Sequence, residues 1–185
     1  MDIFYPGQSL RFDGLEIRFS LQDHLPERIL VSCKLPITYI EIGSGIDIKQ
    51  DLTDKRILDC LFAVGKAVAE PLLLPKAQEI AKSRGVSPKG WRISKARKRA
   101  LGTCNSRGVI SFSPLLVFLP ERLRESIICH ELAHLAHFNH SAKFHSLCNS
   151  FSLKITGQSE KEHQKALRAI FRDKKSIPHL LTVTS

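Results

Sequence analysis

Two histidines four residues apart, with a glutamate directly after the first, constrain this chain more than any other feature: His130-Glu131-Leu132-Ala133-His134. On an α-helix, residues four apart lie on one face, so both imidazoles can reach a single ion. With His130 at 0° and about 100° per residue, His134 lies at about 40° and Glu131 at about 100°. Ile128, Leu132, Leu135 and Ala136 fall between about 140° and 240°. Such a helix packs one face on a core and lines a cleft with the other. The segment around it, CHELAHLAHFNHSAKFHSL from Cys129 to Leu147, is rich in further donors.

His140 is the expected third donor, ten residues after His130. His137 competes for the role, but seven residues of helix rise ~10 Å, whereas each ligand of a zinc ion sits only ~2 Å from it. If the helix ends near Phe138 and turns at Asn139, His140 can fold back over the ion. His137 then becomes a wall of the cleft, and His145 has a similarly weak claim. Glu160 or Glu162 is the runner-up ligand. Three neutral imidazoles leave a positive centre with water in the fourth position, its pKa lowered toward ~7. Glu131 would accept that water's proton and deliver it to a leaving amine. Zn²⁺ suits this donor set, although iron, cobalt and nickel suit it too. For oxyanion stabilisation Arg107, Lys98 and a backbone N–H all stay open. The two tyrosines, Tyr5 and Tyr39, are far upstream.

Length and composition narrow the surroundings. A chain of 185 residues, 43% hydrophobic, builds one core of ordinary size. No apolar run approaches the ~20 residues of a membrane span, and MDIFYPGQ does not resemble a secretory signal. Five cysteines without a C-x-x-C pair argue against a disulfide framework, so a cytoplasmic location is expected. Cys104 is the cysteine to inspect for proximity to the metal. The +10 charge is concentrated between Lys89 and Arg107, where seven basic residues and no acidic one occur. This run could follow a phosphate backbone, giving weak nucleic-acid contact, or hold carboxylates of a peptide.

Residues 10–42 alternate in a way that predicts about three strands, within a strand-rich region over 1–50. A helix is expected from Asp54 to Glu70, with Thr53 as cap and Pro71 as stop. A second is expected from Pro75 or Lys76 to Arg84, closed by Gly85. Trp91–Ala100 and Gly108–Ser113 read as strands, and Pro120 opens the helix of the histidines. The segment EKEHQKALRAIFRDKK predicts a terminal helix. The core thus extends over 51–174, and 175–185 forms a flexible tail.

The stretch WRISKARKRALGTCNSRGVISFSPLLVFLPERLRESIICHELAHLAHFNHSAKFHSL resembles the YgjP-like metallopeptidases, compact zincins related to SprT-like proteins. The matching parts are the basic strand from Lys95 to Cys104, Gly108 to Ile110, and the helix from Pro120. H-E-L-A-H at His130 to His134 and N-H-S-x-x-F at Asn139 to Phe144 complete the pattern. The family's Trp-Gly-Ser-Cys is Leu101-Gly102-Thr103-Cys104 here. The resemblance is specific over 88–150, extends weakly over 54–85, and matches the N-terminal strands poorly. It implies an α+β zincin fold, a small mixed or antiparallel sheet packed on helices. His130, His134 and His140 would be zinc ligands, Glu131 the catalytic acid/base, and Phe144 a packing residue after the third ligand. It also implies that Val109–Ser113, or another strand in its place, forms the cleft's upper edge and binds an extended peptide by strand addition. Three functions follow as expectations. One is a zinc metallopeptidase acting on peptides or partly unfolded proteins. The second is such an enzyme recruited to DNA-bound proteins through the basic run, and the third is a catalytically idle, metal-stabilised binding domain. Oligomeric state is not encoded legibly.

Overall fold

The computed structural model describes residues 7–25, 27–46, 55–94, 100–173 and 176. Four strands, not three, form the N-terminal sheet: β1 (Ser9–Phe12), β2 (Leu15–Gln22), β3 (Ile29–Ser32) and β4 (Ile37–Gly43). Their order is β1-β2-β4-β3, with β2 and β4 parallel and the outer pairs antiparallel. Leu15, Ile17 and Phe19 of β2 and Thr38, Ile40 and Ile42 of β4 are buried, the period of two that puts alternate side chains on one face.

One continuous helix, α1 (Lys55–Arg84), replaces the two expected helices, with Pro71 and Pro75 inside it. Each proline removes a backbone donor, normally at ~3 kcal/mol or more. Against this stand Val68, Ala69, Leu73, Ala77 and Ile80, all buried around the prolines. A fully buried large aliphatic side chain contributes ~1.5–3 kcal/mol, so packing outweighs the local rule that ends a helix at proline. The proposed cap Thr53 lies outside the described residues. At Gly65 an added Cβ would sit 3.1 Å from the Pro114 carbonyl oxygen and 3.2 Å from the Phe118 ring. There α1 presses on a buried 3₁₀ segment, Pro114–Phe118, opened by Ser113, whose hydroxyl accepts from the Leu115 N–H at 3.2 Å.

The second sheet holds β5 (Gly90–Ile93), β6 (Gly102–Cys104) and β7 (Val109–Phe112) in the order β5-β7-β6. β7 is parallel to β5 and antiparallel to β6. It is therefore the central strand, which corrects the expectation that Val109–Ser113 forms the cleft's edge. Ile110 and Phe112 are both fully buried, the alternate side chains of the face that packs on the core. The edge is β6. Of the strand expected over Trp91–Ala100, β5 covers the beginning and residues 95–99 lie outside the described ones.

The histidine helix is α2 (Glu121–Ala133), followed by α3 (Ala142–Thr156) and α4 (Glu160–Arg172). Asp13, in the β1–β2 turn, accepts from the Glu121 N–H at 2.7 Å, and its carbonyl accepts from Arg124 at 2.8 Å. These bonds fasten the start of α2 to the first sheet. α2 ends at Ala133, five residues before the expected end at Phe138. Its last turn tightens: Leu135 and Ala136 donate to the Leu132 and Ala133 carbonyls, the i→i+3 pattern common at helix ends. Ala136 is consequently exposed, not part of the buried stripe. α3 was not anticipated. It is capped by Ser141, whose hydroxyl accepts from the Phe144 N–H, and closed by Gly157 at φ 72°. One hydrophobic cluster runs through both sheets, α1 and α2. The fold is α+β: four α-helices and two small mixed sheets among the described residues. The tail expected over 175–185 lies outside them apart from Ser176, which bonds the Ile170 carbonyl.

Candidate metal centre

The early end of α2 creates the site. The chain reverses after Ala133 and Ser141 starts α3, so His140 arrives opposite the last turn of α2. The donor atoms of His130, His134 and His140 all lie within 4.8 Å of one another, and this group could hold a metal ion. Nε2 of His130 and Nε2 of His140 are 3.2 Å apart. Two nitrogen ligands of one tetrahedral ion, each ~2.0–2.1 Å from it, stand about 3.3 Å apart. His134 has Nδ1 3.0 Å from the His137 carbonyl oxygen. A carbonyl only accepts, so Nδ1 carries the proton and Nε2 keeps its lone pair for an ion, the usual outer bond of a metal-binding histidine. His137 thus serves through its backbone.

Phe144 is fully buried and packs against all three imidazoles. Its ring centroid is 4.9 Å from His130, 4.5 Å from His134 and 4.7 Å from His140. Phe144→Ala is expected to cost about 3–5 kcal/mol of stability through the cavity it leaves. It should also weaken metal binding by loosening three rings at once. Thermal unfolding with and without added metal checks both effects.

Electrostatics favour the neutral ligand form. Burial, then the neighbouring histidines His134 and His140, push the His130 pKa down to about 4. Burial also lowers that of His134, partly countered by the bond to the His137 carbonyl. Glu131 is only 4% exposed, and burial pushes its carboxyl up to about 7. Among the described residues its Oε2 has no hydrogen-bond partner. The carboxylate side chain fits against β6 at Gly102, where an added Cβ would lie 2.5 Å from Oε1 and 2.6 Å from Cγ. A carboxylate with one free oxygen beside three convergent nitrogen donors can exchange a proton with a water held there.

A second group was not foreseen. His130, Cys148 and Glu160 also bring donor atoms within 4.8 Å of one another. Cys148 is fully buried on α3, and desolvation pushes its thiol up to about 12, which opposes the thiolate that metal binding needs. Glu160 is occupied: it accepts from His145 Nδ1 at 3.1 and 3.0 Å and from Gln164 at 2.9 Å. Glu162, the other acidic runner-up, caps α4 by accepting from the Ser159 N–H at 2.7 Å. The signal for Cys148 was its helical spacing from Phe144 on a helix the sequence did not reveal. Cys104 lies near enough to Glu131 for that charge to raise its pKa, burial being the larger cause, but belongs to neither donor group. His145 stacks on His140 with centroids 6.0 Å apart, closer to the histidines than its sequence position suggested.

Other expectations fall away from the site or outside the described residues. Arg107 is exposed in the β6–β7 turn and Tyr39 is exposed on β4, while Lys98 and Tyr5 lie outside the described residues. Of the basic run, Lys89, Arg92 and Arg107 are exposed, and Lys95, Arg97, Lys98 and Arg99 lie outside the described residues. No described helix is long and apolar enough to cross a membrane.

Comparison with known proteins agrees with this geometry. Neither curated proteins nor solved structures gave a match. The family model for the YgjP-like metallopeptidase domain matches residues 4–167, well beyond the segment that carried the resemblance and including the N-terminal strands. The chain belongs to the YgjP-like metallopeptidase-domain family.

Proposed function

We propose that the protein is a zinc-dependent endopeptidase acting on extended peptides or partly unfolded proteins. His130, His134 and His140 hold the ion, and Glu131 is the general base and acid. The observation that carries this reading is the convergence of three imidazole donors within 4.8 Å beside a buried carboxylate whose Oε2 is unpartnered among the described residues. Three nitrogen donors with a position left open are the donor set of catalytic zinc. When bound, the ion would supply Lewis acidity, lowering the pKa of a water toward ~7 and polarising the scissile carbonyl. Glu131 takes a proton on Oε2 and returns it to the departing amine. Among the described residues β6 pairs only with β7, so its outer edge can pair with a substrate backbone. Gly102 on that strand brings the substrate line against Glu131.

Cleavage of a permanently unfolded protein tests the reading: a chelator should abolish it and one equivalent of zinc restore it. Cleavage that survives metal removal would sink the proposal. Bound zinc with no cleavage of any unfolded substrate would instead favour an idle binding domain. Repeating the assay with DNA across a salt series examines the basic run, because phosphate contacts weaken steeply with salt. Gly102→Ala is a finer probe. Its Cβ would collide with the Glu131 side chain, and a shift of about 1 Å in a catalytic group costs roughly a hundredfold in rate. We expect that loss in kcat/KM with metal content unchanged.

A further inference from the structure

A cavity of about 310 Å³ lies beside Glu131, far more than the single water that hydrolysis consumes. Its lining joins His130, Glu131 and Gly102 to a second set, Ser152, His163 and Gln164, from α3 and α4. The site chemistry does not use that second set. His163 is the only fully buried side chain of α4, 2% exposed, and among the described residues neither ring nitrogen has a well-formed hydrogen bond, the Ser159 carbonyl being its nearby polar neighbour. Ser152 is fully buried, and among the described residues its hydroxyl has no well-formed hydrogen bond, with only the weakly bonding Cys148 thiol close by. Burial lowers the His163 pKa, only partly offset by the Ser159 carbonyl and Glu162 nearby. The ring is neutral and offers one donor and one acceptor. Buried polar groups without partners are costly, and a leucine here would have avoided the cost.

The rest of the lining restricts what could satisfy them. Leu101, Ile127 and Leu167 supply apolar wall, and among the described residues the only charged ones of the lining are Glu131 and Glu160. An anionic side chain would meet two carboxylates. A cationic one would find Glu160 already taken by His145 and Gln164 and Glu131 committed to the reaction. A purely apolar one would leave His163 and Ser152 unbonded. An uncharged side chain with an apolar stem and a hydrogen-bonding end meets each condition. A segment paired with β6 points alternate side chains toward one face of the sheet, and Gly102 of β6 is itself part of the lining.

Resting on the peptidase reading above, we infer that this cavity receives the substrate side chain next to the scissile bond. It selects glutamine, asparagine or threonine, with His163 as the specificity-determining residue. The test is cleavage of a proteome-derived peptide mixture by wild type, His163→Leu and Ser152→Ala, the cut bonds being read by mass spectrometry. Wild type should show at least about fivefold enrichment of these residues over leucine and methionine at one flanking position. His163→Leu should reverse that preference and Ser152→Ala flatten it, with melting temperatures not lowered. Identical profiles in all three proteins, or an apolar or charged preference in wild type, overturn the inference.

A binding arm separates this inference from the peptidase reading. Zinc-loaded Glu131→Gln, with and without His163→Leu, is titrated with hexapeptides carrying Gln, Leu, Lys or Glu at each central position. Binding should favour Gln at least fivefold, and His163→Leu should erase the advantage. A Gln advantage in binding with no cleavage by wild type keeps the pocket and rejects the peptidase. Cleavage with no residue preference in either arm keeps the peptidase and rejects the pocket.

Discussion

Glu131→Gln is expected to retain about one metal ion per chain while hydrolysis falls by ~10²–10⁴, the usual worth of a positioned general base. The amide keeps the shape that fits against Gly102, so the helix and its histidines need not move. It removes only the ability to accept and return a proton. The metal-free variant should also melt higher than metal-free wild type above neutral pH. The carboxyl of Glu131 is raised from 4.5 to about 7 in the fold, so the folded chain binds the extra proton. Its contribution to stability is present below the ordinary carboxyl range and is lost as pH rises toward 7. A neutral amide does not share that loss. Metal analysis, progress curves on an unfolded protein and melting at two pH values check the three parts. A variant that cleaves as fast as wild type would remove Glu131 from the mechanism.

His130→Ala should abolish metal retention, weakening affinity by roughly a thousandfold if the ~10–16 kcal/mol typical of a bound zinc is shared among its ligands. This residue is common to both donor groups and packs against the other rings, 4.9 Å from His134 and 5.1 Å from His140 by centroid. Neither group survives without it. His137→Ala is the matched control, because only the backbone carbonyl of His137 is used. Its affinity should stay within a few fold of wild type, as read by competition with a chromophoric chelator. Equal losses in both variants would show that the fold had been damaged, not a ligand removed.

What could be read beforehand depended on how local each feature is. His130, Glu131 and His134 sit within two turns of one helix, so spacing alone implies their shared side. The approach of His140 was legible because a chain turning after a helix has few ways to bring back a residue six positions on. Long-range choices were not legible. Pro71 and Pro75 read as boundaries because local sterics argue for a stop, whereas burial of Leu73 and Ala77 against the core decides the matter. The central place of β7 was not legible, because a strand's position in its sheet depends on partners elsewhere in the chain. Gly102 was legible only as the glycine of the Leu101-Gly102-Thr103-Cys104 match, with no sign of why glycine is needed there. Its requirement arises from a contact across 29 positions. Cys148, Glu160 and His163 come together only once α3 and α4 are folded, and their spacing matches no local ligand pattern.

X-ray absorption at the metal edge of the zinc-loaded protein tests the central claim most directly. A site built from His130, His134 and His140 predicts one ion per chain with only nitrogen and oxygen neighbours at ~2.0–2.1 Å. A sulfur neighbour at ~2.3 Å would place the ion with Cys148, and failure to retain any ion would remove the centre altogether; either result contradicts the account.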